Sequence, residues 1–126
     1  MKIAYIMHKA LSLSILLMVD ILTACEYEKR EELDLSTLPE VISFQNDLIP
    51  TFENKCTRCH DGTTTPDLTA ENAYFDLSSG NYLNTEVPEE SYLYKKISGS
   101  GSMSIYADDY DRALILKWIE QGSLEN

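Results

Sequence analysis

The sequence predicts a mostly α-helical fold, and three observations support this. Apolar residues recur at helical spacing over residues 44–52 and 114–119. No alternation of apolar and polar residues is long enough to predict a strand, and no internal repeat is present. A length of 126 residues accommodates one small domain but not two.

Composition excludes two classes of protein. The formal net charge of −11 would repel a phosphate backbone, so we expect no nucleic-acid partner. The hydrophobic content of 44% is too high for a disordered chain. A chain this short buries a marginal core, so we expect an additional stabilising group.

Residues 1–24 are predicted to be a bacterial lipoprotein signal peptide. Lys2 and Lys9 form its basic start, and an apolar run covers residues 10–19. A transmembrane helix is the alternative, but it needs about 20 apolar residues, and Asp20 interrupts the run.

The end of this segment, Leu22-Thr23-Ala24-Cys25, resembles the lipobox of bacterial lipoproteins. The resemblance implies that Cys25 is lipidated and becomes the first residue of the mature protein. It predicts a lipid-anchored protein of the bacterial cell envelope, at the periplasmic face or the cell surface of the outer membrane. An ordinary signal peptide with Cys25 as an unmodified thiol is the alternative.

Residues 25–42 are predicted to be a lipidated acidic linker, and residues 43–126 the folded domain. The charged run over residues 26–34 is typical of a solvated tether, or of a sorting signal after a lipidated cysteine. Ser43 is expected to cap a helix, and Pro50 to kink or shorten it. Its apolar positions are Phe44, Leu48, Ile49 and Phe52.

Further along, residues 61–66 predict a loop and residues 68–77 a helical turn or two. Pro88 is expected to begin a second helix, followed by a flexible loop over residues 99–102. The strongest helix is predicted over residues 112–121, with Gly122 as its C-terminal cap. Its apolar stripe is Leu114, Ile115, Trp118 and Ile119.

The segment Cys56-Thr57-Arg58-Cys59-His60 has the C-x-x-C-H pattern by which c-type haem is attached. Two thiols at this spacing can form thioethers with both vinyl groups of one haem. The histidine that follows is then placed to ligate the iron. The sequence therefore predicts one covalently bound haem c, held by two cysteines and one histidine.

Three alternatives are weaker. A structural zinc site needs four ligands, and the predicted mature chain offers only Cys56, Cys59 and His60. A thioredoxin-type redox pair needs a βαβ setting that the pattern lacks. A disulfide across so short a loop would stabilise little.

Met103 is the candidate for the second axial ligand. Haem iron commonly takes His or Met, and the predicted mature chain has no second histidine. Three of the four methionines lie in the predicted signal peptide, which leaves Met103 in a Gly/Ser loop. A site without a protein ligand, or a weaker ligand such as Lys or Tyr, is the alternative.

Residues 44–126 resemble a small monohaem, class I-like c-type cytochrome domain, of the kind found in bacterial lipoproteins and planctomycete-type cytochrome domains. The resemblance rests on Phe44, Leu48-Ile49-Pro50, Phe52, Cys56, Cys59-His60, Ser91-Tyr92-Leu93-Tyr94-Lys95, Met103 and Leu116-Lys117-Trp118-Ile119-Glu120-Gln121-Gly122. It implies a cytochrome c-like helical domain wrapped round one haem, which would pack against Leu68, Leu93, Ile97 and Leu114.

The resemblance also implies two contacts. Phe44 or Phe52 is expected to meet Trp118, and the carbonyl of Pro66 or of a neighbour to accept a hydrogen bond from the imidazole of His60. The chain departs from the family at Ser104, because proline often follows the methionine there. Looser or pH-sensitive ligation is therefore expected.

With His60 and Met103 both on the iron, we expect an electron carrier rather than an enzyme. Its partners would be a redox donor and a redox acceptor, of basic charge if the acidic surface steers them. Two alternatives remain: a haem enzyme or gas sensor with an open sixth position, and an accessory cytochrome module of a larger envelope complex.

Overall fold

The computed structural model describes residues 34–126, so the predicted signal peptide, Cys25 and most of the charged linker lie outside the described residues. Its four α-helices within this range are α1 (Ile49–Lys55), α2 (Ala73–Ser79), α3 (Tyr92–Ile97) and α4 (Asp109–Glu120). A π-helical turn, Phe44–Leu48, leads into α1, and 3-10 turns span Leu35–Thr37, Pro88–Glu90 and Ser104–Tyr106. Residues 34–126 contain no strand, which confirms the mostly α prediction.

None of the helices in this described range is long and apolar enough to cross a membrane.

The first helical segment begins where the sequence predicts. The Ser43 hydroxyl accepts a hydrogen bond from the Asn46 N–H at 3.1 Å, and the Asp47 carboxylate accepts one from the Ser43 N–H at 2.7 Å. Pro50 lies in the first turn of α1, where a missing N–H costs nothing. Because proline cannot donate back along the helix, the π-helical pattern before it gives way to α1 at this point.

The prediction that the second helix begins at Pro88 is wrong, because the α-helix begins at Tyr92. Pro88–Glu90 forms only a 3-10 turn, and the backbone at Ser91 leaves the helical region, with ψ 133°, before α3 begins. The fully buried Ser91 hydroxyl accepts from the Asn84 N–H at 2.8 Å and donates to the Asn84 carbonyl at 3.3 Å. This side-chain pairing with a distant backbone competes with helix continuation.

Two other helices differ from their predicted bounds. The short helix expected over residues 68–77 is α2, which starts only at Ala73. The last helix starts at Asp109 rather than Arg112, because Asp108 and Asp111 form a reciprocal capping box with bonds of 3.0 and 2.8 Å. Gly122 follows α4 at φ 94°, as expected for a residue that ends a helix.

The core is centred on the contact between Phe44 and Trp118, both fully buried. Their ring centroids are 5.2 Å apart, so of the two phenylalanines considered, Phe44 meets Trp118. Tyr74 packs edge-on against Phe44 at 5.3 Å. The Trp118 indole N–H donates to the Leu124 carbonyl at 2.9 Å, which satisfies its polar atom. The two ends of the domain are therefore joined by one aromatic contact.

The folded unit extends beyond the predicted start at residue 43. All of the described residues, 34–126, belong to one compact unit. Ile42 is 1% exposed, and its N–H donates to the Gln121 side chain at 2.9 Å. The Lys117 ammonium donates to the Pro39 carbonyl at 2.7 Å. Pro39 and Ile42, at the end of the predicted linker, thus pack on α4 and on the residue that follows it.

Lys55, at the end of α1, contacts two carboxylates at the start of α4. Its Nζ lies 2.7 Å from Asp108 Oδ2 and 2.6 Å from Asp111 Oδ2. Burial opposes the charge, but hydrogen bonds to both carboxylates outweigh it and raise the pKa of Lys55. The hydrogen bond from Lys55 is the largest cause that lowers the pKa of Asp108. This ion-pair cluster ties the residue before Cys56 to α4.

We expect Lys55→Met to lower the free energy of unfolding by about 1–2 kcal/mol at pH 7, measured by urea denaturation. The physical reason is that Asp111, only 5% exposed, would lose its cationic partner. The matched control is Lys95→Met, which breaks an exposed 2.8 Å pair with Glu90 and should cost less than about 0.5 kcal/mol. Equal losses in both variants would show that the cluster stabilises the fold no more than an exposed ion pair does.

The same cluster predicts a pH window. The pKa of Asp108 is lowered on folding, so its contribution is present above about pH 3.9 and lost as the pH falls through the lowered value. The pKa of Lys55 is raised, so its contribution is present below about pH 10.4 and lost as the pH rises through the raised value. The stability difference between the unmodified protein and Lys55→Met should therefore narrow at both ends. A difference that stays constant from pH 3 to 7 would contradict the assignment.

Candidate functional site

The C-x-x-C-H segment forms a compact turn at the end of α1. The Cys56 N–H donates to the Phe52 carbonyl at 2.7 Å, which continues the helix by one residue. The N–H groups of Cys59 and His60 both donate to the Cys56 carbonyl, at 3.1 and 3.0 Å. The structure thus brings Cys56, Cys59 and His60 together in one hydrogen-bonded turn.

The two thiols in this turn are free and differ in environment. Cys56 is half-buried and packs against the core, whereas Cys59 is exposed. Burial, with a smaller contribution from the Asp111 charge, raises the pKa of Cys56 to about 11. Cys56 is therefore a neutral thiol at pH 7, and neither sulfur is tied up in a disulfide. Among residues 34–126, no three His, Cys, Asp or Glu side chains gather as a metal-ion site.

The imidazole of His60 is held by the carbonyl of Pro66. Nδ1 lies 2.9 Å from this oxygen, in the contact that the sequence resemblance implies. Because a carbonyl oxygen only accepts, Nδ1 carries a proton, and in the neutral ring Nε2 then keeps its lone pair. Among the described residues Nε2 has no hydrogen-bond partner. The half-buried ring is therefore held in one orientation by a bond of the kind that orients metal-ligating histidines.

The loop that supplies the Pro66 carbonyl is itself fixed. The Leu68 N–H donates to the His60 carbonyl at 2.9 Å and closes the loop. The Asp67 N–H donates to the Asp76 carboxylate at 2.7 Å, and the Asp67 carboxylate accepts from the Thr69 N–H at 2.9 Å. Hydrogen bonds from Thr69 are the largest cause that lowers the pKa of Asp67. The loop that carries the Pro66 carbonyl is thus held by Thr69 and by Asp76 of α2.

Met103 lies on a separate loop between α3 and α4. Its N–H donates to the Lys96 carbonyl at 2.8 Å, which folds the loop back on the end of α3. Gly101 makes this return possible, because a Cβ there would lie 2.2 Å from the Lys95 carbonyl oxygen and 2.3 Å from that of Lys96. Within residues 34–126, Met103 makes no hydrogen bond to the C-x-x-C-H turn.

Large apolar side chains stay exposed along this loop. The exposed fraction is 37% for Met103 and 82% for Ile105. Tyr106 in the same loop is exposed as well, and so is Tyr110 in the first turn of α4. A run of exposed apolar residues in so small a domain is typical of a surface that a bound group or a partner covers.

Arg112 is a residue of this region that the sequence pattern did not single out. Its guanidinium donates to the carbonyls of Ile97 at 2.8 Å and of Ser104 at 2.7 Å, and also to the Ala107 carbonyl. It pairs in addition with the Asp109 carboxylate. Sequence spacing does not predict these contacts, because the acceptors are backbone carbonyls in a loop whose conformation depends on the tertiary structure.

A cavity of about 280 Å³ lies elsewhere in the domain. It is lined by Val41, Ile42, Trp118, Gln121, Leu124 and Asn126. None of the four predicted haem-binding residues takes part in it. Leu68, Leu93, Ile97 and Leu114, the positions expected to face a haem, are buried in the hydrophobic core.

No protein-family model matches the chain, and no curated protein and no solved structure matches it either.

We expect Gly101→Ala to displace the Met103 loop, because the added Cβ would meet backbone that cannot move aside. The unfolding free energy should fall by about 2–3 kcal/mol, and hydrogen exchange at the Met103 N–H should accelerate. Gly99→Ala is the control, since φ is +53° there and no atom lies within 4 Å. It should cost about 1 kcal/mol without changing exchange at Met103. Similar exchange rates in both variants would refute the assigned role of Gly101.

Proposed function

We propose that this protein is an electron-transfer c-type cytochrome with a single covalently bound haem. Cys56 and Cys59 would carry the thioether bonds, His60 would ligate the iron through Nε2, and Met103 would supply the second axial ligand. The observation that carries the proposal is the 2.9 Å contact between His60 Nδ1 and the Pro66 carbonyl. This hydrogen bond fixes the orientation of the ring, and Nε2, which has no hydrogen-bond partner among the described residues, would then bind the iron.

The thiols support the same proposal. Cys56 and Cys59 are both free and lie in one turn, so two sulfurs can react along a single edge of a flat macrocycle. A structural disulfide would leave the orientation of the His60 ring unexplained. A zinc site would need further ligands, and the described residues assemble no such group.

The proposed role of Met103 as the second axial ligand is supported by the chemistry of its side chain and by its exposure. Its thioether is a soft, neutral ligand that favours ferrous iron and raises the reduction potential relative to a second histidine. The side chain is 37% exposed rather than packed in the core, so its sulfur is free to take up a ligand role. It is also the only methionine beyond the predicted signal peptide.

A haem iron with both axial positions taken by protein exchanges electrons and has no vacant position for oxygen or peroxide. The chain's own part is to hold Nε2 through the Pro66 carbonyl and to keep the Met103 sulfur in place. The net charge of −11 would steer the protein towards basic donor and acceptor proteins. A lipid on Cys25 would keep it at the bacterial envelope, with the domain exposed to those partners.

A haem protein with an open sixth position is the second candidate. The observation that favours it is the Met103 loop, where Ser104 replaces the proline frequent in related cytochromes and the methionine lacks a packed surrounding. Such a protein would bind small ligands instead of only changing its oxidation state.

The first test is the presence of the haem. The full chain is produced in cells that have haem-attachment machinery, and the purified protein is assayed by pyridine haemochrome. We expect one haem per chain, retained after denaturing electrophoresis. Cys56→Ser and Cys59→Ser should each retain a single thioether, and the double variant should contain none. A colourless protein from cells that mature a control cytochrome would refute the proposal.

The second test concerns the axial ligand. The ferric protein should show a sulfur-to-iron charge-transfer band that Met103→Ala abolishes. Ile105→Ala, which alters an exposed apolar residue of the same loop, should retain it. High-spin iron in the unmodified protein would instead favour the open-site candidate.

A further inference from the structure

We propose that Arg112 is a positioning residue for Met103, holding the loop over residues 98–107 closed so that the sulfur stays where it can ligate. The inference rests on the proposed function, because it concerns the same site. Arg112 itself would touch neither the haem nor the iron.

Arg112 joins the two ends of the Met103 loop to α4. The Ile97 carbonyl, on the residue before the loop, accepts from Nε at 2.8 Å. The Ser104 carbonyl, on the residue after Met103, accepts from Nη2 at 2.7 Å. The Ala107 carbonyl, where the loop ends, accepts from the same nitrogen. One side chain therefore fixes the backbone before, directly after and beyond the methionine.

The guanidinium is suited to this task in a way that an ammonium is not. Its donors form a rigid planar fork, so bonds to separate carbonyls are made with one fixed geometry. The side chain is only 24% exposed, and Nη1 is paired with Asp109. Bonds from a charged donor to carbonyls in such a half-buried setting are stronger than ordinary backbone bonds.

These hydrogen bonds from Arg112, the Arg112 clamp, would restrain the loop at the position where the cytochrome domains that the sequence resembles often have a proline after the methionine. Ser104 does not stiffen the backbone as proline would, yet its carbonyl is held by Arg112. Gly101 seats the other part of the loop against α3. For the sulfur to move away with the loop, the contacts from Arg112 must break, so the charged clamp favours the closed position.

The test measures how readily an added ligand replaces Met103. Imidazole is titrated into the ferric, haem-loaded protein, and the sulfur-to-iron band is followed. Because imidazole binds only when Met103 has left, its apparent affinity reports the population of the open loop. Arg112→Gln should bind imidazole on the order of tenfold more tightly, and Arg112→Lys several-fold more tightly.

Two controls separate this role from general stability. Lys117→Gln removes the 2.7 Å bond from the same helix to the Pro39 carbonyl, remote from the Met103 loop. Ile119→Val trims a fully buried side chain of α4 and lowers global stability. Both should leave the imidazole affinity within about twofold of the unmodified protein.

Each result decides one question. If the unmodified protein lacks the sulfur-to-iron band, the proposed His/Met ligation is wrong. If that band is present and both Arg112 variants bind imidazole as the unmodified protein does, ligation stands and the role of Arg112 is overturned. If Arg112→Gln does not accumulate, Arg112→Lys decides: tighter imidazole binding than in both controls supports the clamp, and equal binding overturns it.

Discussion

The hydrogen bond between His60 Nδ1 and the Pro66 carbonyl is the constraint on which the functional account depends. It assigns a proton to one ring nitrogen and, in the neutral ring, leaves the other with its lone pair. The loop that makes it possible is closed by the Leu68 N–H and held against α2 through Asp67. An imidazole held in one orientation, in the same turn as two free thiols, is the arrangement that a covalent haem would use.

Helix α4 organises the rest of the domain around that turn. Trp118 packs against Phe44, Asp111 binds the Lys55 ammonium one residue before Cys56, and Arg112 holds the Met103 loop. Through these three contacts one helix packs against the first helical segment, the end of α1 just before the thiol-bearing turn, and the methionine loop. Displacement of α4 would therefore disturb both proposed axial ligands together, although neither lies on it.

Much of the fold and of the candidate site follows from local sequence signals. The Ser43 cap and the buried stripe of α4 are confirmed, because capping and helical periodicity are short-range properties. The Phe44–Trp118 contact is long-range, and only the resemblance to cytochrome domains implied it. The predicted helix start at Pro88 is wrong, because Ser91 bonds to Asn84 seven residues away. Arg112 and Lys55 were beyond prediction, since their partners are defined only by tertiary structure.

Covalent haem attachment can be examined by peptide mass spectrometry of the protein matured in cells with haem-attachment machinery. We expect the peptide containing Cys56 and Cys59 to carry one haem, with a thioether on each sulfur. Recovery of that peptide with two unmodified thiols, from cells that load a control cytochrome, would contradict it.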